Sequence, residues 1–463
     1  MSTALHWFRR DLRLTDNTAL TAAVAAYDHV VAVYVVSTWK KEHRWTGAPR
    51  QEFLCGSLAS LAANLEAKGG RLIVRSGEAH KVLPELARAI GADAIYFNRD
   101  PDPFGRGMEQ RVTHAAEALG MKVHAHKDVA MHERDEVLTG SGTPFRIFTP
   151  YAKAWLKLDK PPALRTITKI STPPQLASDP LPTLATWCLT SDATIIAPGE
   201  AAARKRLSRF LDGPIFDYAT RRDLPVEEAT SRLSQDLRHG TLSIREVYAK
   251  CEVVAANATA TQRRSVQVFI NELIWREFYL QVLWHWPEVL DHEFKEEYRG
   301  MNWRNEGNAF DRWCAGQTGF PIVDAGMRQL AATGFMHNRV RMIVAMFLTK
   351  DLHLDWREGE RWFMQRLVDG EIASNNGGWQ WSASTGTDAA PYFRIQNPWS
   401  QTVRFDPEGA YIKQWVPELR DVPGRKLGEP PTPGLVLARG YPLPMVDHSR
   451  ERDIALDMYR REV

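Results

Sequence analysis

The first 130 residues alternate short apolar runs with amphipathic segments, and this repetition restricts the fold more than any other feature of the chain. The candidate strands are Ala4–Phe8, Val30–Val36, Arg71–Arg75, Ala94–Asn98 and Met121–Ala125. The segments with apolar residues at the three- and four-residue spacing of helices are Phe53–Ala67, Ala79–Ile90 and Met108–Leu119. The pattern predicts an α/β N-terminal domain over residues 1–130, with a parallel five-stranded, Rossmann-like sheet.

The ligand classes that most often bind such sheets are not supported by the motifs. No GxGxxG follows the first strand, and GxxxxGK[ST] occurs nowhere in the chain. Hydrolytic and metal chemistry is likewise unsupported, because Gly140-Ser141-Gly142 lacks the GxSxG spacing and there is no HExxH helix. We therefore expect no metal site and no ordinary dinucleotide or P-loop site.

The remainder of the chain divides into a connection and a helical part. Residues 131–198 are punctuated by prolines and rich in Thr and Ser, which predicts a long inter-domain linker. From residue 199 to residue 463 helical periodicity dominates, which predicts an all-α C-terminal domain.

The amino-acid composition limits which binding partners and which cellular compartment we expect. With 59 Lys+Arg against 56 Asp+Glu, the net charge of +3 allows a polyanionic partner without requiring one. The four cysteines lie far apart with no CxxC pair, which argues against a disulfide framework and fits a reducing cytoplasm. No apolar stretch approaches the roughly 18 residues that a membrane span needs. We expect a soluble, cytoplasmic protein that does not bind a membrane.

Three motifs in the helical part carry unusual side chains. In Asn271–Tyr279, residues Glu272, Trp275, Arg276 and Tyr279 share one helix face, which could floor a cavity for a flat polar ligand. The alternative is a helix that packs against a neighbour with one internal ion pair.

The second motif, Met336–Met342, places Asn338 and Met342 on one helix face with Arg341 beside them, while Arg339 points elsewhere. An amide next to a thioether suits a ligand that is polar on one edge and apolar on its face. A lone Met is otherwise a core residue.

The third motif, Asp369–Gly386, combines tandem amides, glycines and two tryptophans. Such a run is a poor helix and a poor strand, and its glycines permit a backbone path in close contact with a bound group.

These motifs resemble those of one family. The segments Trp7–Asn17, Glu272–Tyr279, Met336–Met342, Asp355–Glu360 and Asn375–Gly386 are similar to signatures of the photolyase/cryptochrome family, in its order and spacing. The chain is most similar to class I cyclobutane pyrimidine dimer photolyases. The resemblance implies an antenna domain, a linker, and a helical domain that binds U-shaped FAD, fully reduced in the active state. It also implies a monomer that transfers an electron from photoexcited FAD to a flipped-out dimer in UV-damaged DNA, a step known for photolyases as a class.

The resemblance assigns cofactor roles to individual residues. Asn375 would face flavin N5, and the Arg341–Asp369 pair would lie beside the isoalloxazine. The family usually has Asp-Gly-Asp where this chain has Asp369-Gly370-Glu371, which puts a flavin contact by Glu371 in question. The remaining FAD-binding residues would be Tyr218, Thr230, Ser231, Arg232, Leu233, Ser234, Glu272, Arg276 and Asn338. A second antenna chromophore, either a reduced folate or a deazaflavin, is expected without its identity being determined.

The resemblance also assigns the lesion pocket and an electron relay. The dimer would contact Glu272, Trp275, Asn338, Met342 and Trp381, and the rim phosphates would contact Arg222, Arg339 and Arg394. A relay of Trp379, Trp356 and Trp303 would photoreduce oxidised flavin. With Glu272 and Asn375, these tryptophans complete the expected catalytic set.

Three alternatives remain at this point. A (6-4) photolyase needs histidines in the lesion pocket, whereas here His337 precedes the pocket face. A cryptochrome photoreceptor often carries a long C-terminal extension, which this chain does not show. A flavoprotein that binds DNA without repairing it is the third.

Overall fold

In the computed structural model, which describes residues 2–37, 43–173, 175–304, 307–387 and 394–460, the N-terminal part is a parallel sheet. Its strands are β1 (Thr3–Phe8), β2 (His29–Val36), β3 (Leu72–Ser76), β4 (Ala94–Asn98) and β5 (Lys122–His126). The five strands are ordered β3-β2-β1-β4-β5, and all pairs are parallel. The predicted fold class is confirmed, and strand bounds differ from the predicted ones by one residue at most.

Helices cover both faces of this sheet, so the central strands are buried and mostly apolar. The covering helices are α1 (Thr18–Ala26), α2 (Ala48–Glu66), α3 (Ala79–Ala89) and α4 (Pro103–Glu117). Along β1, Ala4 and Phe8 belong to one buried cluster, whereas Leu5 and Trp7 belong to the cluster on the opposite face. Helix α1 is not among the predicted elements, because it is rich in alanine and its apolar residues are not confined to one face.

The segment 131–198 contains α5 (Phe148–Lys157), which the sequence analysis also did not identify. Tyr151 and Trp155 on α5 are buried in the apolar cluster of the helical part. Further along, Ile170 and Trp187 are buried in a cluster of the sheet domain. The connection therefore packs against both parts of the molecule rather than bridging open solvent.

From residue 200 onward the described chain is helical. The helices are α6 (Glu200–Leu211), α7 (Pro214–Arg221), α8 (Ser234–His239), α9 (Ile244–Ala256), α10 (Ala260–His285), α11 (Ala309–Cys314), α12 (Pro321–Thr333), α13 (Asn338–Met346), α14 (Trp356–Arg366), α15 (Ile372–Ala383), α16 (Pro398–Phe405), α17 (Ala410–Trp415), α18 (Gly424–Leu427) and α19 (His448–Tyr459). Among the described residues, no helix is both long enough and apolar enough to cross a membrane.

The expectation that the third motif is a poor helix is wrong, because α15 runs through it. The amide nitrogens of Asn376 and Gln380 both donate to the backbone oxygen of Val289, each at 2.9 Å. At Gly377, a Cβ would lie 2.1 Å from the ring of Tyr279, so the helix packs closely against α10. Tertiary contacts thus override a low local helix propensity.

Buried charges join the sheet domain to the helical part. Arg13 and Arg245 both donate to Asp128, each at 2.7 Å, and Arg245 also pairs with Asp16 at 3.1 Å. The two guanidinium groups hold the pKa of Asp128 at about 2, against the desolvation that would raise it. Breaking such a buried pair leaves an uncompensated charge, so the network fixes how the two parts dock.

Candidate functional site

A cavity of about 640 Å³ lies among helices α7, α8, α10, α13 and α15. Most of the predicted site residues line it: Tyr218, Arg222, Thr230, Ser231, Leu233, Ser234, Glu272, Trp275, Arg276, Asn338, Arg341, Met342, Asp369, Glu371, Asn375, Trp379, Trp381 and Arg394. The first two motifs thus place the predicted helix faces toward one cavity. None of the described residues that line it is a histidine.

Glu272 is the carboxylate of the α10 face. Its Oε1 accepts a hydrogen bond from Arg222 Nη1 at 2.6 Å. Desolvation raises the pKa of Glu272 above its ordinary value, although the Arg222 pair opposes that shift. The site therefore holds a carboxyl group whose charge depends on a single guanidinium partner, a suitable acceptor for a base-edge N–H.

Aromatic and thioether groups form the apolar wall of the cavity. The ring of Trp275 stacks on Phe148 with centroids 3.6 Å apart and an interplanar angle of 5°, so one face of the indole is already occupied. The Arg394 guanidinium lies 5.1 Å from the ring centroid of Trp381. Together with Met342, these groups suit a flat, partly apolar ligand.

Charged and polar side chains from α8, α10, α13 and the segment before α15 also line the cavity. Arg341 Nη2 pairs with Asp369 Oδ2 at 2.9 Å, and Ser234 Oγ donates to the same carboxylate oxygen at 2.6 Å. The neighbouring hydroxyls of Thr230 and Ser231 also line the cavity. Arg276 donates to the Val129 backbone oxygen at 2.8 Å, and its burial lowers its pKa.

The side chain of Asn375 is anchored by a hydrogen bond to the backbone of α14. Its Nδ2 donates to the backbone oxygen of Glu360 at 3.0 Å, so the amide oxygen is the end available to a bound group. The side chain of Glu360 accepts from Asn376 at 3.0 Å, and desolvation raises the pKa of Glu360 to about 7. The sequence analysis did not assign a role to Glu360.

The residues present fit FAD. At Gly378 a Cβ would meet no atom within 4 Å, so the α15 backbone opens directly onto the cavity. Glu371 Oε1 is buried without a hydrogen-bond partner among the described residues, as expected where a ligand N–H would bind. The hydroxyls and the Arg341–Asp369 pair give the same cavity the polar groups that a dinucleotide needs, in addition to its aromatic side chains.

Glu371 also makes a contact that the motif did not indicate. Its Oε2 pairs with Arg10, which in turn donates to Asp100 at 2.8 Å at the carboxyl end of the parallel sheet. The Glu371 side chain, one methylene longer than the family's usual Asp, thus reaches the sheet domain while lining the cavity.

The three predicted relay tryptophans are buried in one apolar cluster. Trp379 lines the cavity and packs against α14, because a Cβ at Gly359 would lie 2.1 Å from its ring. Trp356 begins α14, and Trp303 precedes Arg304, which pairs with the Leu354 backbone. Trp303 is the most exposed of the three, at 9% against 2% and 0%.

Of the residues predicted to contact FAD or DNA, two do not line the cavity. Arg232 stacks on Phe335, with 3.6 Å from its guanidinium carbon to the ring centroid. Arg339 pairs with Asp223 at 2.9 Å, in keeping with its predicted direction away from Asn338. His337 is the N-cap of α13 and does not line the cavity either, and burial lowers its pKa to about 4.

Comparison with known proteins matches two family models to the chain. Residues 4–170 match DNA photolyase, and residues 269–461 match the FAD binding domain of DNA photolyase. A deoxyribodipyrimidine photo-lyase from Synechococcus sp. is 40% identical over 457 residues, covering 96% of this chain and 94% of that protein.

Solved structures are similar over the whole chain. A class III photolyase from Agrobacterium tumefaciens has a TM-score of 0.92 at 36% identity, covering 99% of this chain and 97% of that chain. A cryptochrome from Synechocystis sp. has a TM-score of 0.90 at 28% identity, with 99% of both chains covered.

Proposed function

Since the chain belongs to the DNA photolyase family, we propose that it repairs cyclobutane pyrimidine dimers in UV-damaged DNA by light-driven electron transfer. The observation that carries this proposal is that one cavity combines an FAD-compatible wall with Glu272, Trp275 and Met342. The protein would act as a cytoplasmic monomer, with an antenna chromophore of undetermined identity beside FAD.

Bound FAD supplies the light absorption and the electron donation. The chain's own residues would bind and orient the flavin. Asn375 would present its amide oxygen to the flavin ring, and the Arg341–Asp369 pair would contribute a fixed local electric field there. Thr230 and Ser231 would offer hydroxyls to the FAD phosphates, whereas the Ser234 hydroxyl donates to Asp369.

For the lesion, the rings of Trp275 and Trp381, which both line the cavity, would stack on the extruded bases. Glu272 would accept from a base edge, with Arg222 either compensating its charge or turning to a DNA phosphate. Flipping costs a few kcal/mol and least at a damaged pair, which contributes selectivity.

The absence of histidine among the described lining residues favours the cyclobutane substrate over the (6-4) photoproduct. A cryptochrome-type photoreceptor is the second candidate, supported by the structural similarity to the Synechocystis protein. The five residues predicted to contact the dimer all line the cavity, which favours repair over a photoreceptor role. These residues are Glu272, Trp275, Asn338, Met342 and Trp381.

The experiment that tests this function is light-dependent repair in vitro. We expect purified, reduced protein to restore thymine absorbance in an oligothymidylate containing cyclobutane dimers under blue light, and not in the dark. A parallel oligonucleotide containing the (6-4) photoproduct should stay unrepaired. If FAD is bound and reduced but neither substrate recovers absorbance, repair is excluded and a photoreceptor is favoured.

Trp356→Phe tests the proposed relay. We expect photoreduction of the oxidised holoprotein to slow by at least about tenfold, because removing the middle hop adds more than ~1.4 kcal/mol to the barrier. Repair by chemically reduced protein should be intact, since Trp356 does not line the cavity. Trp362→Phe, on the same helix α14, is the matched control and should photoreduce normally. Equal losses in photoreduction and pre-reduced repair would contradict the relay.

A further inference from the structure

The indole N–H of Trp356 has an acceptor, whereas those of the two flanking tryptophans have none within the part of the chain that the structure describes. Trp356 Nε1 donates to Glu293 Oε1 at 3.2 Å. Trp379 Nε1 and Trp303 Nε1 are both buried and have no hydrogen-bond partner among the described residues. The difference falls on the middle position of the proposed relay.

Glu293 is a buried carboxylate, and its side chain is 2% exposed. Its Oε2 accepts from Arg357 Nη2 at 2.9 Å, and its backbone oxygen accepts from Arg299 Nε at 3.1 Å. Burying a carboxylate is costly unless it is paired and hydrogen-bonded. Both carboxylate oxygens are therefore committed, one to a cation and the other to the indole of Trp356.

The same cation lies close to the Trp356 ring. The Arg357 guanidinium carbon is 4.8 Å from the ring centroid, and Arg357 also pairs with Asp355 at 3.1 Å. A positive charge at this distance opposes the removal of an electron from the indole. The Glu293 carboxylate, bonded to both groups, offsets that effect.

We propose that Glu293 is a positioning residue that stabilises Trp356 in its one-electron-oxidised state during photoreduction. This inference rests on the proposed tryptophan relay. It adds a residue outside the cavity, and none of the sequence motifs contains Glu293.

Each tryptophan of the relay would pass on one electron. Bound oxidised flavin would supply the light-driven electron acceptor, Trp379 would give it one electron, Trp356 would give one to Trp379, and Trp303 would give one to Trp356. An oxidised indole is a stronger N–H acid, so the bond to Glu293 strengthens and holds the proton between the ring and the carboxylate. The proton would return to Nε1 when Trp303 supplies its electron. A soluble thiol would then give one electron to Trp303 and release its proton to solvent, and two such sulfur radicals would join as a disulfide.

The test is Glu293→Gln, followed by transient absorption after a laser flash on the oxidised holoprotein. Glutamine keeps the size of the side chain and an amide oxygen but removes the charge. We expect electron transfer from Trp356 to Trp379 to slow by about tenfold, since a neutral amide no longer offsets the positive charge of Arg357 beside the ring. The exposed Glu297→Gln, from the same segment, is the matched control and should behave as the parent protein.

A second readout does not require FAD. In apoprotein labelled with ¹⁵N-tryptophan, the Trp356 indole signal, assigned by its loss in Trp356→Phe, should move to lower proton frequency in Glu293→Gln while the other indole signals stay. Glu293→Asp, which keeps the charge, should restore part of the electron-transfer rate. This partial rescue separates the charge of Glu293 from its packing.

The outcomes separate this inference from the proposed function. If Trp356→Phe leaves photoreduction unchanged, the relay itself is wrong and the role of Glu293 fails with it. If Trp356→Phe slows photoreduction but Glu293→Gln does not, the relay stands and the role of Glu293 is overturned. If Glu293→Gln and Glu293→Asp slow it equally, the effect is one of packing and the proposal is also overturned.

Discussion

Replacing Gly378 with leucine is expected to abolish FAD retention while leaving the apoprotein at least as stable as the parent. A Cβ at Gly378 meets no atom within 4 Å, and Gly378 lines the cavity, so we expect the leucine side chain to occupy cavity space. Leucine is also a better helix former than glycine by about 0.8 kcal/mol at an interior position such as this one in α15. The expected loss of FAD affinity is at least about a hundredfold, or ~2.7 kcal/mol.

The measurement is the ratio of flavin to protein absorbance after purification, together with thermal unfolding of apoprotein, which removes the contribution of bound ligand to stability. Gly377→Ala is the informative neighbour, because its Cβ would lie 2.1 Å from the Tyr279 ring. That variant should lower the free energy of unfolding by about 1–3 kcal/mol through overpacking. Full FAD occupancy in Gly378→Leu would show that FAD binds elsewhere.

Gly240→Ala is expected to destabilise the protein by about 4 kcal/mol or more, at the seam between the two parts of the chain. Gly240 ends α8 with a φ of +68°, and a Cβ there would lie 1.8 Å from the backbone oxygen of Arg10. Since the obstacle is backbone rather than a flexible side chain, only separation of the α8 end from the segment after β1 can relieve it.

Gly91→Ala is the matched control for the conformational part of this cost. Gly91 has a similar φ of +63°, but a Cβ there meets no atom within 4 Å. We expect a loss of only about 1–2 kcal/mol, the usual cost of a left-handed conformation for a residue with a Cβ. The comparison is made on the denaturation midpoints of the two variants. Equal losses of stability would show that the close contact of Gly240 with the Arg10 backbone does not contribute to the cost.

Part of the candidate site was predictable because helical periodicity alone decides which residues share a face. Glu272, Trp275 and Arg276 lie one turn or less apart on α10, and Asn338 and Met342 lie one turn apart on α13, so each set lines the cavity as its spacing predicts. The resemblance to photolyases then assigned roles that spacing cannot assign.

Other features could not be predicted, because they depend on partners far away in the chain. The stacking of Phe148 on Trp275 joins α5 to α10, and α5 itself was hidden in a proline-punctuated segment. The contact of Glu371 with Arg10 spans the two parts of the molecule. No local pattern carries information about such pairs.

The sequence by itself determined the alternation of strands and helices, the helical second half and the residue types that face one another within each helix, because these follow from short-range periodicity. Only the tertiary structure decided that a glycine-rich run would be helical, that Glu371 would reach Arg10, and that Glu293 would meet Trp356. Burial and close packing select these long-range contacts, and they outweigh local propensities of about 1 kcal/mol per residue.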